Sequence, residues 1–234
     1  PFVEHARSRG LFVCTNFMKS YVASPEQFAT AVAESEASGS QLVYLVDSAG
    51  GMLPEEVDRY IEEIRSRTDT AALGFHGHHN LGLGVANSLR AIEKGAIVVD
   101  GSLQGFGRSA GNAPTEQLVA ALMRQGHNVG IDPIAVMDCG EQHIQPLIAS
   151  RGLSSVDLVA GLAQFHSSYM PIIEKFATEY RIDPRHLIIA VCRHDKADAP
   201  EHLVRAEAER LAREHVHGSW KPLYEHYVGG EQET

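Results

Sequence analysis

The segment LGFHGHHNLGLGVANSLRAIEKG, residues 73–95, carries three histidines within four positions, just where an apolar run gives way to glycine and polar residues. The run AALGFH (Ala71 to His76) has the short apolar character of a buried strand, whereas LGLGVANSLRAIEKG spaces its apolar residues as a helix does. HGHHN therefore marks the C-terminal end of a strand inside a βα unit, the position at which α/β barrels and open sheets keep their chemistry. On extended backbone, residues i and i+2 share a face, so His76 and His78 are expected to converge while His79 turns the other way. Paired imidazoles suit Mn, Fe, Co, Ni or Zn, but two of them do not complete a site. A polar turn that happens to be rich in histidine is the plain alternative. Gly77 between the two ligand candidates and the strand-end position favour metal.

The same βα unit recurs on either side. Further apolar runs are LFVCTNF (Leu11 to Phe17), QLVYLVD (Gln41 to Asp47) and AIVVDGSL (Ala96 to Leu103), and helices are predicted near 25–38, 54–66, 82–94 and 114–125. Pro25 and Pro54 fall where a first helical turn accepts proline, and Gly39 and Gly95 where helices end. Successive strands lie roughly 25–31 residues apart, the length of a strand plus a crossover helix in a parallel sheet. From about Gly130 the pattern becomes helical, divided by Gly and Pro. The chain is thus expected to be α/β: four βα units over 1–128, a helical portion over 129–218 packed on the sheet, and a tail over 219–234.

Composition narrows the function. Twenty Lys and Arg against thirty Asp and Glu give a formal charge of −10 over 234 residues, which argues against nucleic acid and against anionic membrane surfaces as partners. A small-molecule partner is expected. No apolar run approaches the ~18 residues of a membrane span, and PFVEHARSRG lacks the apolar centre of a signal peptide, so a cytoplasmic location is expected. Cys14, Cys139 and Cys192 form no CxxC pair and are read as plain buried thiols.

Two other strand ends share a composition. VDSAGG (Val46 to Gly51) and VDGSLQGFGRSAGNAPTE (Val99 to Glu116) each follow an Asp with a small hydroxyl residue and glycines, as in sites where backbone approaches a ligand. Capping or turn formation is the alternative for Asp47 and Asp100. Gly105, Gly107 and Gly111 make neither GxGxxG nor a P-loop, which argues against a nucleotide.

The segments LVYLVDSAGGM, GFHGHHNLGLGVANSL, VVDGSLQGFGRSAGNAPTE and SSYMPIIEKFATEYRIDPRHLI together resemble the metal-dependent 4-hydroxy-2-oxovalerate aldolases. These sit in a barrel superfamily with hydroxymethylglutaryl-CoA lyase and the isopropylmalate and homocitrate synthases. The resemblance runs from about Leu11 to about Glu214 and implies the second half of a TIM-type (β/α)8 barrel, apparent strands five to eight, followed by a helical communication domain. The family's first strand carries an Arg-Asp pair, and a His follows it; nothing in this chain matches them. The chain is therefore expected to be an N-terminally truncated piece, or half of a barrel completed by another chain.

Residue by residue, the resemblance implies that His76 and His78 are metal ligands, with Asn112 close to the ion, and that Ser48 contacts substrate. Where the family has a Tyr in YSSF, this chain has HSSY, so His166 takes the place of an active-site acid or stereochemical guide. The implied reaction is cleavage of a 4-hydroxy-2-oxoacid to pyruvate and an aldehyde, assisted by a divalent metal such as Mn²⁺. Implied with it are an acylating acetaldehyde dehydrogenase as partner, a homo-oligomeric assembly and a place in aromatic hydrocarbon catabolism. A Schiff-base mechanism would need a strand-end lysine, for which Lys19 comes closest. Other readings are an acyl-CoA lyase or acyl-transferring relative, although QGFGRSAGN lacks that lyase's loop cysteine, and a non-catalytic truncated protein that retains partner binding.

Overall fold

Four short apolar segments pair side by side through their backbone hydrogen bonds and bury apolar side chains against a layer of helices. The computed structural model describes residues 1–68, 70–148 and 154–214. After a short helix α1 (Phe2–Ser8), strand β1 (Cys14–Phe17) leads to α2 (Pro25–Ala37), β2 (Leu42–Asp47) to α3 (Pro54–Arg67), β3 (Leu73–Gly77) to α4 (Gly84–Glu93), and β4 (Val98–Asp100) to α5 (Thr115–Arg124). The strands form one parallel sheet in the order β1-β2-β3-β4, with Val46 opposite His76 and His76 opposite Asp100. Val43, Leu45, Leu73 and Phe75 pack with Phe28 and Val32 of α2 and Val57, Tyr60, Ile61 and Ile64 of α3 in one apolar core. Edge-on contacts of Phe28 with Phe17 and with Tyr60, each at 5.5 Å, close that core beside β1.

Helix starts follow the sequence closely. Ser24 Oγ accepts from Gln27 N while Gln27 Oε1 accepts from Ser24 N, a reciprocal cap ahead of Pro25. Gly39 and Gly95 terminate their helices with φ of +101° and +95°, which L side chains rarely adopt. Helix α4 starts at Gly84 rather than near 82, because Gly82 takes a φ of +74° in a turn whose amide bonds the His79 carbonyl at 2.8 Å. The outer strands are shorter than the apolar runs that encode them. β1 and β4 each pair on one side among the described residues, and Leu11 and Ile97 are exposed where the ladder stops.

The remaining helices, α6 (Pro133–Cys139), α7 (Ser155–Ala163), α8 (Met170–Tyr180), α9 (Pro184–His194) and α10 (Glu201–Arg213), include a second apolar cluster built on Ile173, Phe176, Ile182, Leu187, Ile188 and Val204. This helical part folds back over the C-terminal ends of the strands. Gly51 lies against Gly161 of α7, and Asn80 Nδ2 donates to the Asp157 carbonyl at 2.9 Å. The expected tail at 219–234 lies outside the described residues. The cysteine expectation needs correcting: only Cys192 is buried, whereas Cys14, on the outermost strand, and Cys139, at the end of α6, are exposed. No described helix is long and apolar enough to cross a membrane.

Backbone contact between Gly51 and Gly161 leaves no room for a methyl group, since a Cβ at Gly51 would come within 3.1 Å of the Gly161 carbonyl carbon. Gly51→Ala is expected to destabilise the protein by about 1–3 kcal/mol through forced separation of α7 from the strand ends. Urea unfolding checks this, and a midpoint equal to that of the parent would show that the contact is slack.

Candidate active site at the strand ends

His76 is the penultimate residue of β3, and His78 follows after Gly77. Their rings approach to 5.4 Å between centroids, so the i, i+2 convergence expected from extended backbone is present. His79 instead turns towards α4, where its Nδ1 lies 3.0 Å from the Cβ position at Gly84. The His76 Nδ1–H points at Asp100 Oδ2 at 3.2 Å, and Tyr44 donates to Asp100 Oδ1 at 3.2 Å. Holding the proton on Nδ1 leaves His76 Nε2 as the ring's lone-pair donor. Asp100 thus does more than shape a turn. Asp47, by contrast, is a turn former: its buried carboxylate accepts from Gly51 N at 3.1 Å and Met52 N at 3.0 Å, and burial raises its pKa to about 6.

His78 is tied down through its backbone. Its amide bonds the Asp47 carbonyl at 3.1 Å, and it forms an isolated antiparallel bridge with Asn112, which brings that asparagine alongside. Burial, reinforced by the positive charge of Arg108 and by His76 and His166, lowers the His78 pKa to about 3. It is a neutral imidazole at pH 7. Ser48, at the end of β2, is buried; its Oγ accepts from Lys19 N at 2.9 Å and its carbonyl accepts from Arg108 at 3.3 Å. The same arginine donates to Ser167 Oγ at 2.8 Å. His166 precedes that serine and is 6% exposed. Its Nδ1 accepts from Ser168 N at 3.2 Å, which puts the proton of the neutral ring on Nε2. Desolvation, with Arg108 and Lys19 nearby, brings its pKa down to about 4.

All five residues singled out by sequence, Ser48, His76, His78, Asn112 and His166, therefore meet at one end of the sheet. Three of them carry a buried polar atom with no hydrogen-bond partner among the described residues: His78 Nδ1, Asn112 Oδ1 and His166 Nε2. Unpaired groups of this kind are costly, and a bound water, ion or ligand is what would satisfy them. Sequence reasoning missed Arg108, Tyr44 and Tyr169. Arg108 was readable as the one cation in the glycine loop Gln104 to Asn112, whereas the link between Lys19 and Tyr169, which are 150 residues apart, had no sequence signal.

A parallel sheet with helices packed on it and paired histidines at its C-terminal edge defines an α/β protein with its candidate site at the strand ends. The chain belongs to the HMGL-like family, whose model matches residues 1–142. It is 36% identical over 211 residues to 4-hydroxy-2-oxovalerate aldolase 2 of Nocardia farcinica, covering 90% of this chain and 61% of that protein. It is 35% identical to the 4-hydroxy-2-oxovalerate aldolase of Chloroflexus aurantiacus, with the same coverage. The chain thus spans about three-fifths of the length of these curated relatives. Among solved structures it resembles the HMG-CoA lyase of Brucella melitensis (24% identity, TM-score 0.58, 63% of this chain and 56% of that one). It also resembles the carboxyl transferase domain of Rhizobium etli pyruvate carboxylase with pyruvate (15% identity, TM-score 0.68, 91% and 39%). At these identities the two structures speak to fold alone.

The depressed histidines, His78 and His166 foremost, make the fold acid-sensitive. A group whose pKa is lower folded than unfolded stabilises fully above its unfolded value of about 6.5, and that stability is lost as pH falls towards the folded value. For His166 the window is pH 6.5 down to about 4, and His78 extends it to about 3. Burial also lowers the pKa of His79, which adds to the loss, whereas Asp47, raised to about 6, and Glu174, also raised by burial, work in the opposite sense over part of this range. Metal-free protein should lose stability steadily from pH 7 to 4.5 in urea unfolding, with a shallower loss in His166→Gln. Parallel pH profiles for parent and variant would contradict the assignment.

Proposed function

We propose that this chain carries the metal-binding side of a divalent-metal-dependent aldolase that cleaves a 4-hydroxy-2-oxoacid to pyruvate and an aldehyde. The observation that carries this reading is the convergence of two imidazoles at the end of β3, beside Asn112 Oδ1, which lacks a hydrogen-bond partner among the described residues, in a chain 36% identical to 4-hydroxy-2-oxovalerate aldolases. Nitrogen and amide-oxygen donors suit Mn²⁺ and its neighbours, and the His78 and Asn112 atoms lacking partners fit such an ion. Among the described residues no group of three His, Cys, Asp or Glu completes a set, so a further ligand is expected from outside them.

When bound, the ion supplies the Lewis acidity that draws electron density towards the 2-oxo oxygen as the C3–C4 bond breaks. His76 and His78 would hold it, with Asp100 fixing the His76 ring through Nδ1 and Tyr44 fixing Asp100. Ser48 borders the same floor. His166, substituting for a tyrosine of the family, offers its Nε2–H to a substrate oxygen, which orients the substrate and, once the ring is protonated, delivers a proton. Lys19 is unsuited to a Schiff base, since its ammonium is engaged by the Tyr169 hydroxyl and by the Ala197 carbonyl at 2.7 Å. The reading extends to a homo-oligomer, supported by the one-sided pairing of β1 and β4 and by exposed Phe12 and Ile97, and to an aldehyde-consuming dehydrogenase as partner.

Calorimetric titration with Mn²⁺ tests the site directly: His76→Ala/His78→Ala should weaken binding at least tenfold, and unaltered binding would remove the metal assignment. In the complete protein, pyruvate release from 4-hydroxy-2-oxovalerate should be abolished by the same double variant. His166→Tyr should shift or remove an acidic limb of the pH profile while leaving Mn²⁺ affinity within threefold. A profile and turnover identical to the parent's would leave His166 without a role in the reaction.

A further inference from the structure

Two cations close on the same small volume from opposite elements. Lys19, at the end of β1 with φ of +57°, donates its amide to Ser48 Oγ, while Arg108, from the loop after β4, donates to the Ser48 carbonyl. Both also reach the turn at 167–169, Arg108 to Ser167 Oγ and Lys19 to the Tyr169 hydroxyl, with the Lys19 ammonium 4.4 Å from the centre of the Tyr169 ring. His166 sits at the start of that turn, nine-tenths buried, with Nε2 lacking a hydrogen-bond partner among the described residues. Because its Nδ1 accepts from Ser168 N, that nitrogen is a donor. An ammonium, a guanidinium and an unanswered N–H thus surround one place, and the groups that Lys19 Nζ touches there, a phenol and a carbonyl, are uncharged.

We propose that Lys19, Arg108 and His166 form a carboxylate-recognition subsite, so that the substrate is a 4-hydroxy-2-oxo dicarboxylate and the aldehyde product keeps the second carboxylate. This deepens the aldolase reading and rests on it. The first carboxylate and the 2-oxo group belong at the His76 and His78 centre. Asp100, 3.2 Å from His76, places a negative charge on the β4 side of that centre and repels a further anion there, leaving the β1–β2 side, where Lys19 and Arg108 stand. Guanidinium recognition of a carboxylate is directional and charge-assisted, which makes Arg108 the main anchor. The chemistry balances without a co-reactant. The C3–C4 bond breaks with its electron pair going to C3, the 4-hydroxyl loses its proton as C4 becomes the aldehyde carbonyl, and C3 takes up one proton. The products are pyruvate and a carboxy-aldehyde.

The test uses two unreactive five-carbon ligands, 2-oxoglutarate and 2-oxopentanoate, titrated into the complete Mn²⁺-loaded protein. The parent should bind 2-oxoglutarate at least tenfold more tightly, and Arg108→Leu and Lys19→Met should each reduce that ratio to below about threefold. Arg108→Lys, which keeps the charge, should restore part of it. Equal affinities in the parent, no binding of either ligand, or variants that weaken both ligands equally would overturn the subsite. Because no turnover is needed, this outcome separates from the aldolase reading. Discrimination between the ligands with no pyruvate released from either 4-hydroxy-2-oxoglutarate or 4-hydroxy-2-oxovalerate would support the subsite and remove the aldolase reaction.

Discussion

The site depends on backbone meeting backbone where α7 crosses the turn after β2. Only because neither Gly51 nor Gly161 has a side chain can that helix come down onto the strand ends, and the turn carrying His166 and Ser167 follows α7 directly. Asn80 reinforces the contact by donating to Ser109 Oγ and to the Asp157 carbonyl, which joins the β3 end, the glycine loop and α7 in one network. Move the helix outward and the roof over His78 goes with it. A parallel sheet alone offers an open edge; the glycine contact brings α7 and the turn after it onto that edge, where burial holds both His78 and His166 neutral.

The strand ends are polarised. On the β3–β4 side, Tyr44, Asp100 and His76 form a chain of hydrogen bonds that fixes the orientation of one imidazole. On the β1–β2 side, Arg108 brings its guanidinium to the Ser48 carbonyl and Lys19 its ammonium to the Tyr169 hydroxyl. The two halves oppose each other across a chain whose net charge is −10, so the cationic side reflects local placement and not bulk composition.

Much of this was legible in the sequence for definite reasons. The periods of apolar residues gave the four βα units, and proline and glycine punctuation gave helix ends to within two residues. His76 and His78 were readable as a pair because strand geometry leaves i and i+2 no choice of face. Cys14 and Cys139 were misjudged as buried, since composition says nothing about which strand lies at an edge. The equal standing given to Asp47 and Asp100 dissolved for a similar reason. The two share a sequence context, yet one turns back on its own loop amides and the other looks across to a neighbouring strand.

By itself, then, the sequence determined what is local: strand and helix periods, caps, the shared face of His76 and His78, and the glycines on which close approach depends. Only the tertiary structure decided that Arg108, in the middle of a glycine loop, reaches Ser48 and Ser167, and that Lys19 reaches Tyr169, 150 residues further along the chain. Such meetings arise from how helices pack across strand ends. That packing depends on the summed contacts of many side chains, and no single stretch of sequence encodes it.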